Sequence, residues 1–344
     1  MILKRFGKEL KNNKERFENA SNYRDGKFHN IEPTDVNPHN VPFFKILWKF
    51  IKRPKSVTPP SELPHVKSDL KQLKGIKPGI VWFGHSSYLI KYSGYTILVD
   101  PVFSGNASPF TFFGKSFEGA DNYSEEDFPQ IDLLLLTHDH YDHLDYNFLK
   151  EITGKVRKVV TSLGVGAHLK LWGYEDEIIT ELNWEEQYSS TANLKITAKP
   201  SRHFSGRSFT RFKTLWSSFI LEWGDYRIYV GGDSGYSSTF EKIGQEYGKF
   251  DLVFLECGQY NTYWPQIHMF PEETVQAAKD LNAEILIPVH WSKFVLSTHP
   301  WNEPVKRAMK EAERTGQKIV SPRIGEVYTL GEPYEQKEWW NLKD

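Results

Sequence analysis

The chain is nearly free of cysteine: Cys257 stands alone in 344 residues. A single thiol excludes an intramolecular disulfide framework and a cysteine-built zinc knuckle. Net charge is lacking too, since 43 Lys and Arg face 44 Asp and Glu and leave −1. A dedicated duplex-binding protein carries a basic surplus, so no nucleic-acid partner is expected. No run approaches the roughly 18–20 consecutive apolar residues of a membrane span. The start, Met1 to Lys8, has a lysine at its fourth position and no apolar stretch of a secretory signal, so the expected location is cytoplasmic. Charged residues at 25% rule out disorder of the whole chain. What the sequence does have in quantity is 11 Trp, 17 Tyr and 23 Phe beside 12 His.

Residues 1–75, rich in Asn, Lys and Pro, read as an arm laid over a main domain formed by residues 76–344. Within the arm, residues 41–53 suit an amphipathic helix. Phe43, Phe44, Leu47, Phe50 and Ile51 fall on one side, and Lys45, Lys49, Lys52 and Arg53 on the other. Two readings stay open: the apolar side docks on the protein body, or it lies at an anionic membrane surface, which would place the protein peripherally at the inner membrane face. From residue 79 short apolar or alternating runs predict strands, among them Tyr88–Tyr92, Tyr95–Val99, 131–136, 194–198, 217–222, 227–230, 252–255 and 285–289. Helical stretches are expected at Gly166–Trp172, 238–246, 271–281 and 304–314. Strand pairs with interspersed helices indicate an α/β layered domain with mixed sheets.

The sharpest feature is LLLLTHDHYDHLD, residues 133–145. A run of four leucines is a buried strand, so His138, His140, Asp142 and His143 emerge together where it ends. Imidazole and carboxylate suit zinc and related borderline metals. Each ring also needs an acceptor on its other nitrogen, for which Asp139 and Asp145 are nearby candidates. Further ligands are expected at other strand ends: His203, Asp233 after Gly231-Gly232, and His290. The glycine pair is read as letting backbone pass close to a metal.

H-x-H-x-D-H with a later His, Asp and His resembles the metallo-β-lactamase-fold hydrolases. The longer context is similar to the N-acylphosphatidylethanolamine-hydrolysing phospholipase D family. The segments that carry the likeness include Gly84-His85-Ser86, Asp100-Pro101-Val102-Phe103-Ser104, Gly232-Asp233-Ser234-Gly235-Tyr236, and Trp264 with His268 and Pro271-Glu272-Glu273. The resemblance implies an αβ/βα sandwich of two mixed β-sheets with the metal site at one edge. It implies two Zn2+ per chain, with Mn2+ or Fe as alternatives. By position, His138, His140 and His203 would hold one ion, Asp142, His143 and His290 the other, and Asp233 would bridge them. The reaction implied is hydrolysis of N-acylphosphatidylethanolamine-type phospholipids to N-acylethanolamine and phosphatidic acid, by attack of a zinc-bridging hydroxide.

Other residues have roles left open. His268, named with Asp142 as catalytic, would donate to a phosphate oxygen or assist the leaving group. His85 reads as a second-layer or structural group, Asp100 as an acceptor for a ligand histidine or a strand terminator, and His299 as a turn residue. Phe110, Phe112, Phe113, Tyr260, Tyr263 and Trp264 are candidate walls of an apolar substrate groove. The competing functions are a metal-dependent lactonase or ester hydrolase acting on a small soluble substrate, and a non-catalytic lipid-binding protein with a structural metal. A homo-oligomer is compatible with the sequence.

Overall fold

The computed structural model describes residues 14–110, 113–207 and 210–342. The Met1 to Lys8 start and Phe112 lie outside the described residues.

Seven strands form the first sheet: β1 (Gly79–Trp82), β2 (Tyr88–Tyr92), β3 (Tyr95–Val99), β4 (Leu133–Leu136), β5 (Val159–Ser162) and β6 (Ile179–Leu182), with the later β13 (Val327–Thr329). Their order is β13-β1-β2-β3-β4-β5-β6, antiparallel from β13 to β3 and parallel from β3 to β6. The second sheet holds β7 (Gln187–Ser190), β8 (Leu194–Pro200), β9 (Ser217–Trp223), β10 (Tyr226–Val230), β11 (Leu252–Glu256) and β12 (Leu286–Val289). Its order is β12-β11-β10-β9-β8-β7, with β10, β11 and β12 parallel and the rest antiparallel. Two mixed sheets with helices outside them make the α/β sandwich that the sequence pattern and the resemblance anticipated.

Side-chain alternation assigns the layers. In β4, Leu133 and Leu135 join the core between the sheets. Leu134 and Leu136 point the other way, to a layer shared with Leu149 of α2 (Tyr146–Glu151) and Leu169 of α3 (Gly166–Trp172). A strand covered on both faces has no polar side, which is why the sequence reads as an unbroken leucine run. The second sheet repeats the arrangement. Ile228 and Val230 face the inter-sheet core, while Tyr229 packs under α4 (Thr239–Tyr247), α5 (Pro271–Asp280) and α6 (Glu303–Thr315). Much of the aromatic surplus is core: Trp82, Trp291, Trp301 and Trp339 are linked by ring contacts at 5.2–6.5 Å, some stacked and some tilted.

Strand direction places the chemistry. β1, β3 and β4 run the same way, and so do β8, β10, β11 and β12, so their C-terminal ends define one edge of each sheet. His85, Asp100 and the 138–145 loop leave the first sheet there. His203, Asp233, Glu256 and His290 leave the second.

The arm crosses this same edge. Phe17, Ala20 and Phe28 pack with Leu163, Leu215 and Trp216. The helix within the arm, α1, spans Phe43–Ile51, shorter at both ends than the sequence pattern suggested. Much of its apolar side is open: Phe44 is 73% exposed, Leu47 47% and Ile51 66%. The body is met where Ile46 and Phe50, the latter from that side, are half-buried and Lys49 Nζ sits 4.3 Å from the Tyr263 ring centroid. No helix among the described residues is long and apolar enough to cross a membrane.

Candidate metal centre

The turn after β4 is short because Asp145 ends it, accepting from the N–H groups of Asn147 and Phe148 as the N-cap of α2. Buried Arg207 closes the turn from outside, donating to the carbonyls of Asp139 and Leu144 at 2.8 and 2.7 Å. Side chains of the turn therefore crowd inward. His138, His140, His203 and Asp233 offer ligand atoms that all lie within 4.8 Å of one another, and so do His85, Asp142, His143 and His290. All seven ligand candidates from the sequence meet at one place, in the two sets expected, with His85 added to the second. Asp233 touches both sets: its Oδ1 is 3.1 Å from His143 Nε2 and from His290 Nδ1, and its Oδ2 is 3.5 Å from His203 Nε2.

The contacts within the cluster suit a cation. His140 Nδ1 faces His138 Nε2 at 2.9 Å and His203 Nε2 at 3.2 Å, three imidazole nitrogens converging where protons alone cannot satisfy every pair. His143 Nε2 and Asp233 Oδ1 are buried without a well-oriented hydrogen bond. Burial holds His138, His203 and His290 well below the usual imidazole pKa and brings His85 and His140 to about 4. Neutral imidazoles are the ligand form.

The far nitrogens are fixed, in one case by Asp100, an acceptor the sequence offered, though not by Asp139 or Asp145. His143 Nδ1 donates to Asp100 Oδ2 at 2.8 Å, and His203 Nδ1 to the Ile267 carbonyl at 2.9 Å. His138 Nδ1 is 3.0 Å from the Thr137 hydroxyl. Asp139 instead meets His168 and the Gly206 N–H, and Asp145 is committed to its cap and to the N–H groups of Phe103 and Ser104. Both carboxylates shape the loop rather than the rings. Asp100 thus accepts from a ligand histidine, and it also takes the Thr137 N–H and hydroxyl.

Gly231 and Gly232 also serve packing. A Cβ on Gly231 would stand 2.6 Å from the Phe254 carbonyl oxygen, and Gly232, at φ +59°, lies against Thr137. The backbone comes close to a neighbouring strand and loop. Three non-glycine residues of the site, His85, Asp100 and His290, hold φ of +52°, +38° and +67°. Such conformations cost on the order of 1–3 kcal/mol each and persist where the surroundings over-determine them. Here His290 N–H donates to the His85 carbonyl and His85 N–H to the Trp291 carbonyl, locking the two loops together.

Four residues were missed or underrated. His85 Nε2 is 2.8 Å from Asp142 Oδ2, which makes it part of the site. Glu256, fully buried, lies 2.6 Å from His268 Nδ1 through Oε2. It drew no attention in the sequence because a carboxylate closing an apolar strand looks like a strand-end residue. Asn30, in the arm, accepts the His203 N–H at 3.1 Å and donates to its carbonyl at 2.8 Å, a pairing across 173 residues that no local pattern announces. His299 is more than a turn residue, since its Nε2 accepts the Gln259 N–H at 2.8 Å.

A cavity of about 480 Å³ opens onto the cluster. His140, Asp142, Asp233, His268 and His290 form its floor, and Val36, Val41, Ile46, Trp264, Ile267 and Leu296 its apolar walls. Of the aromatics proposed as walls, only Trp264 among the described residues lines it. Tyr260 is buried against His299, Tyr263 lies beneath Lys49, and Phe110 and Phe113 are exposed elsewhere.

Residues 95–291 match the family model described as the Beta-lactamase superfamily domain. An uncharacterized protein of Mycobacterium tuberculosis is 37% identical over 330 residues, covering 94% of this chain and 88% of its own length. The N-acyl-phosphatidylethanolamine-hydrolyzing phospholipase D 1 of Caenorhabditis elegans is 31% identical over 244 residues, 67% of this chain and 68% of that protein. Among solved structures, Igni18, a metallo hydrolase from Ignicoccus hospitalis, aligns with a TM-score of 0.58 over 75% of this chain and 100% of its own, at 20% identity, a likeness of fold.

Proposed function

Since the chain belongs to the β-lactamase superfamily as a metal-dependent hydrolase, we propose that it cleaves the phosphodiester of N-acylated ethanolamine phospholipids, releasing N-acylethanolamine and phosphatidic acid. In this reading His138, His140 and His203 hold one divalent ion, Asp142, His143 and His290 the other, and Asp233 reaches both. His85 orients Asp142 and is not itself a ligand. Two such ions, zinc in the first instance, supply Lewis acidity toward phosphoryl oxygens and a water of lowered pKa. The protein's share is to keep the imidazoles other than His143 neutral by burial, and to aim the rings through Asp100, Thr137 and the Ile267 carbonyl.

The observation that carries the lipid substrate is the cavity itself: a His/Asp floor under largely apolar walls, one of them Ile46 of α1, with Arg211, Asn37 and Gln259 also lining it. On α1, Phe44, Leu47, Trp48 and Ile51 are exposed beside the exposed bases Lys45, Lys49 and Lys52. Fully burying an apolar side chain of this size is worth about 1.5–3 kcal/mol. A base near an anionic leaflet adds about 1 kcal/mol. On these magnitudes the apolar side chains dominate, with the lysines favouring an anionic surface. A lipid entering from such a surface would reach the cavity mouth directly.

The test pairs metal analysis with hydrolysis of a synthetic N-acyl phospholipid and of small lactones. Two metal equivalents with release of N-acylethanolamine are expected. Cleavage of the lactones alone would replace this reading with the soluble-ester one, and a tightly held metal with no hydrolysis of either would replace it with the binding-protein one.

A further inference from the structure

Glu256 ends β11 inside the protein, and no lysine or arginine pairs with it among the described residues. A carboxylate so placed is tolerable only if its lone pairs are used. Its Oε1 accepts the N–H groups of Ser234 at 3.0 Å and Met269 at 3.1 Å, and its Oε2 faces His268 Nδ1 at 2.6 Å. Ser234 follows Asp233 and Met269 follows His268, so one side chain joins the loop of a proposed metal ligand to the loop of the proposed catalytic histidine. His268 lines the cavity, and with Nδ1 engaged its Nε2 is the nitrogen left for a substrate.

We propose that Glu256 is a positioning residue that acts through His268, holding it as the Nδ1–H tautomer with the Nε2 lone pair turned to the reacting phosphodiester. This rests on the phosphodiesterase reading above. The attacking water gives a proton to Nε2 as its oxygen bonds to phosphorus. The bond from phosphorus to the alcohol oxygen breaks with its electron pair on that oxygen, which takes the proton back from Nε2. Glu256 stabilises the transient imidazolium, and no further reactant is needed. The arrangement follows the logic by which a buried carboxylate sets the tautomer of a serine-hydrolase histidine.

Glu256→Gln is the informative change. The side chain's other oxygen must still accept two backbone N–H groups, so the new NH2 takes the place of Oε2 and donates to Nδ1. That forces the Nε2–H tautomer and removes the lone pair from the cavity. With metal-loaded protein, kcat for an alkyl-alcohol diester should fall about a hundredfold with KM little changed. For a p-nitrophenyl diester, whose leaving group departs without a proton, the attacking water must still give its proton to Nε2, so the rate should fall there as well. E256Q in a His268→Ala background should cost nothing more. Independently of any substrate, 15N-histidine spectra of the wild-type protein should show His268 protonated at Nδ1. An Nε2–H tautomer in the wild type, multiplied losses in the double variant, an undiminished rate on the aryl diester, or a missing metal equivalent in E256Q would each overturn the proposal. Should the wild type cleave no phosphodiester, the substrate reading fails instead, and the same comparison of the variants is made on carboxylic esters.

Discussion

Asp100 receives the Nδ1–H of His143 at 2.8 Å, and that one bond turns His143 Nε2 into the middle of the cluster. The carboxylate is a positioning group, buried at φ +38°, and asparagine tolerates that backbone better than other residues. Asp100→Asn should therefore keep the fold and lower metal affinity or activity by about 10–100-fold. Competition with a chelator measures the first, and unchanged affinity together with unchanged activity would contradict the role.

His85 and Asp142 separate by the same logic. If His85 only orients Asp142, His85→Asn retains both metals and loses activity by about 10–100-fold. Asp142→Asn loses one metal outright. Elemental analysis of the two purified variants decides, and one metal missing from the His85 variant would promote that residue to a ligand.

The exposed side of α1 can be altered without disturbing a core. Phe44→Ser, Leu47→Ser and Ile51→Ser together should leave the thermal midpoint nearly unchanged, since exposed positions usually contribute within about 0.5 kcal/mol. Sedimentation with anionic vesicles and turnover of vesicle-borne substrate should drop, while turnover of a short-chain soluble diester stays. Equal vesicle binding by the triple variant would remove α1 from the lipid contact.

Metal-stripped protein should be acid-sensitive well above the carboxylate range. His85 and His140 titrate near 4 in the folded state, below the ordinary 6.5, because burial disfavours their charged forms. The unfolded chain thus binds more protons between these values, so stability is full above about 6.5 and declines as pH falls toward 4. His143 runs the other way: burial lowers its pKa, but Asp233 and Asp142 outweigh that and raise it. Asp233, raised to about 6, and Glu256, also raised by burial, run with it, but the depressed histidines outnumber the three. Thermal midpoints of the stripped protein at pH 7.5 and pH 5 test the sign, and a higher midpoint at pH 5 would refute it.

The sequence made the metal cluster legible because each ligand stands where an apolar run stops, and a strand end is the one place a period-two pattern locates well. Tyr88–Tyr92 and Tyr95–Val99 were readable to the residue for the same reason. What escaped detection lacked a local period. Strands β6 and β7, Ile179–Leu182 and Gln187–Ser190, are partly exposed at or near sheet edges and show no clean alternation. Asn30 and Glu256 matter only through partners that folding brings to them. The helical pattern in the arm was visible, but amphipathicity alone does not say whether the apolar side meets protein or something else.

The ligand set also has a mechanical side. His138, His140, Asp142 and His143 hang from the first sheet, while His203, Asp233 and His290 hang from the second. Ions held among them would fasten the two halves of the sandwich at a single rim, like a clasp. Removing them would free that rim while the tryptophan-filled interior stayed shut. Hydrogen exchange after chelation should then rise first in the 138–145, 203–207 and 290–294 loops and spread inward only later.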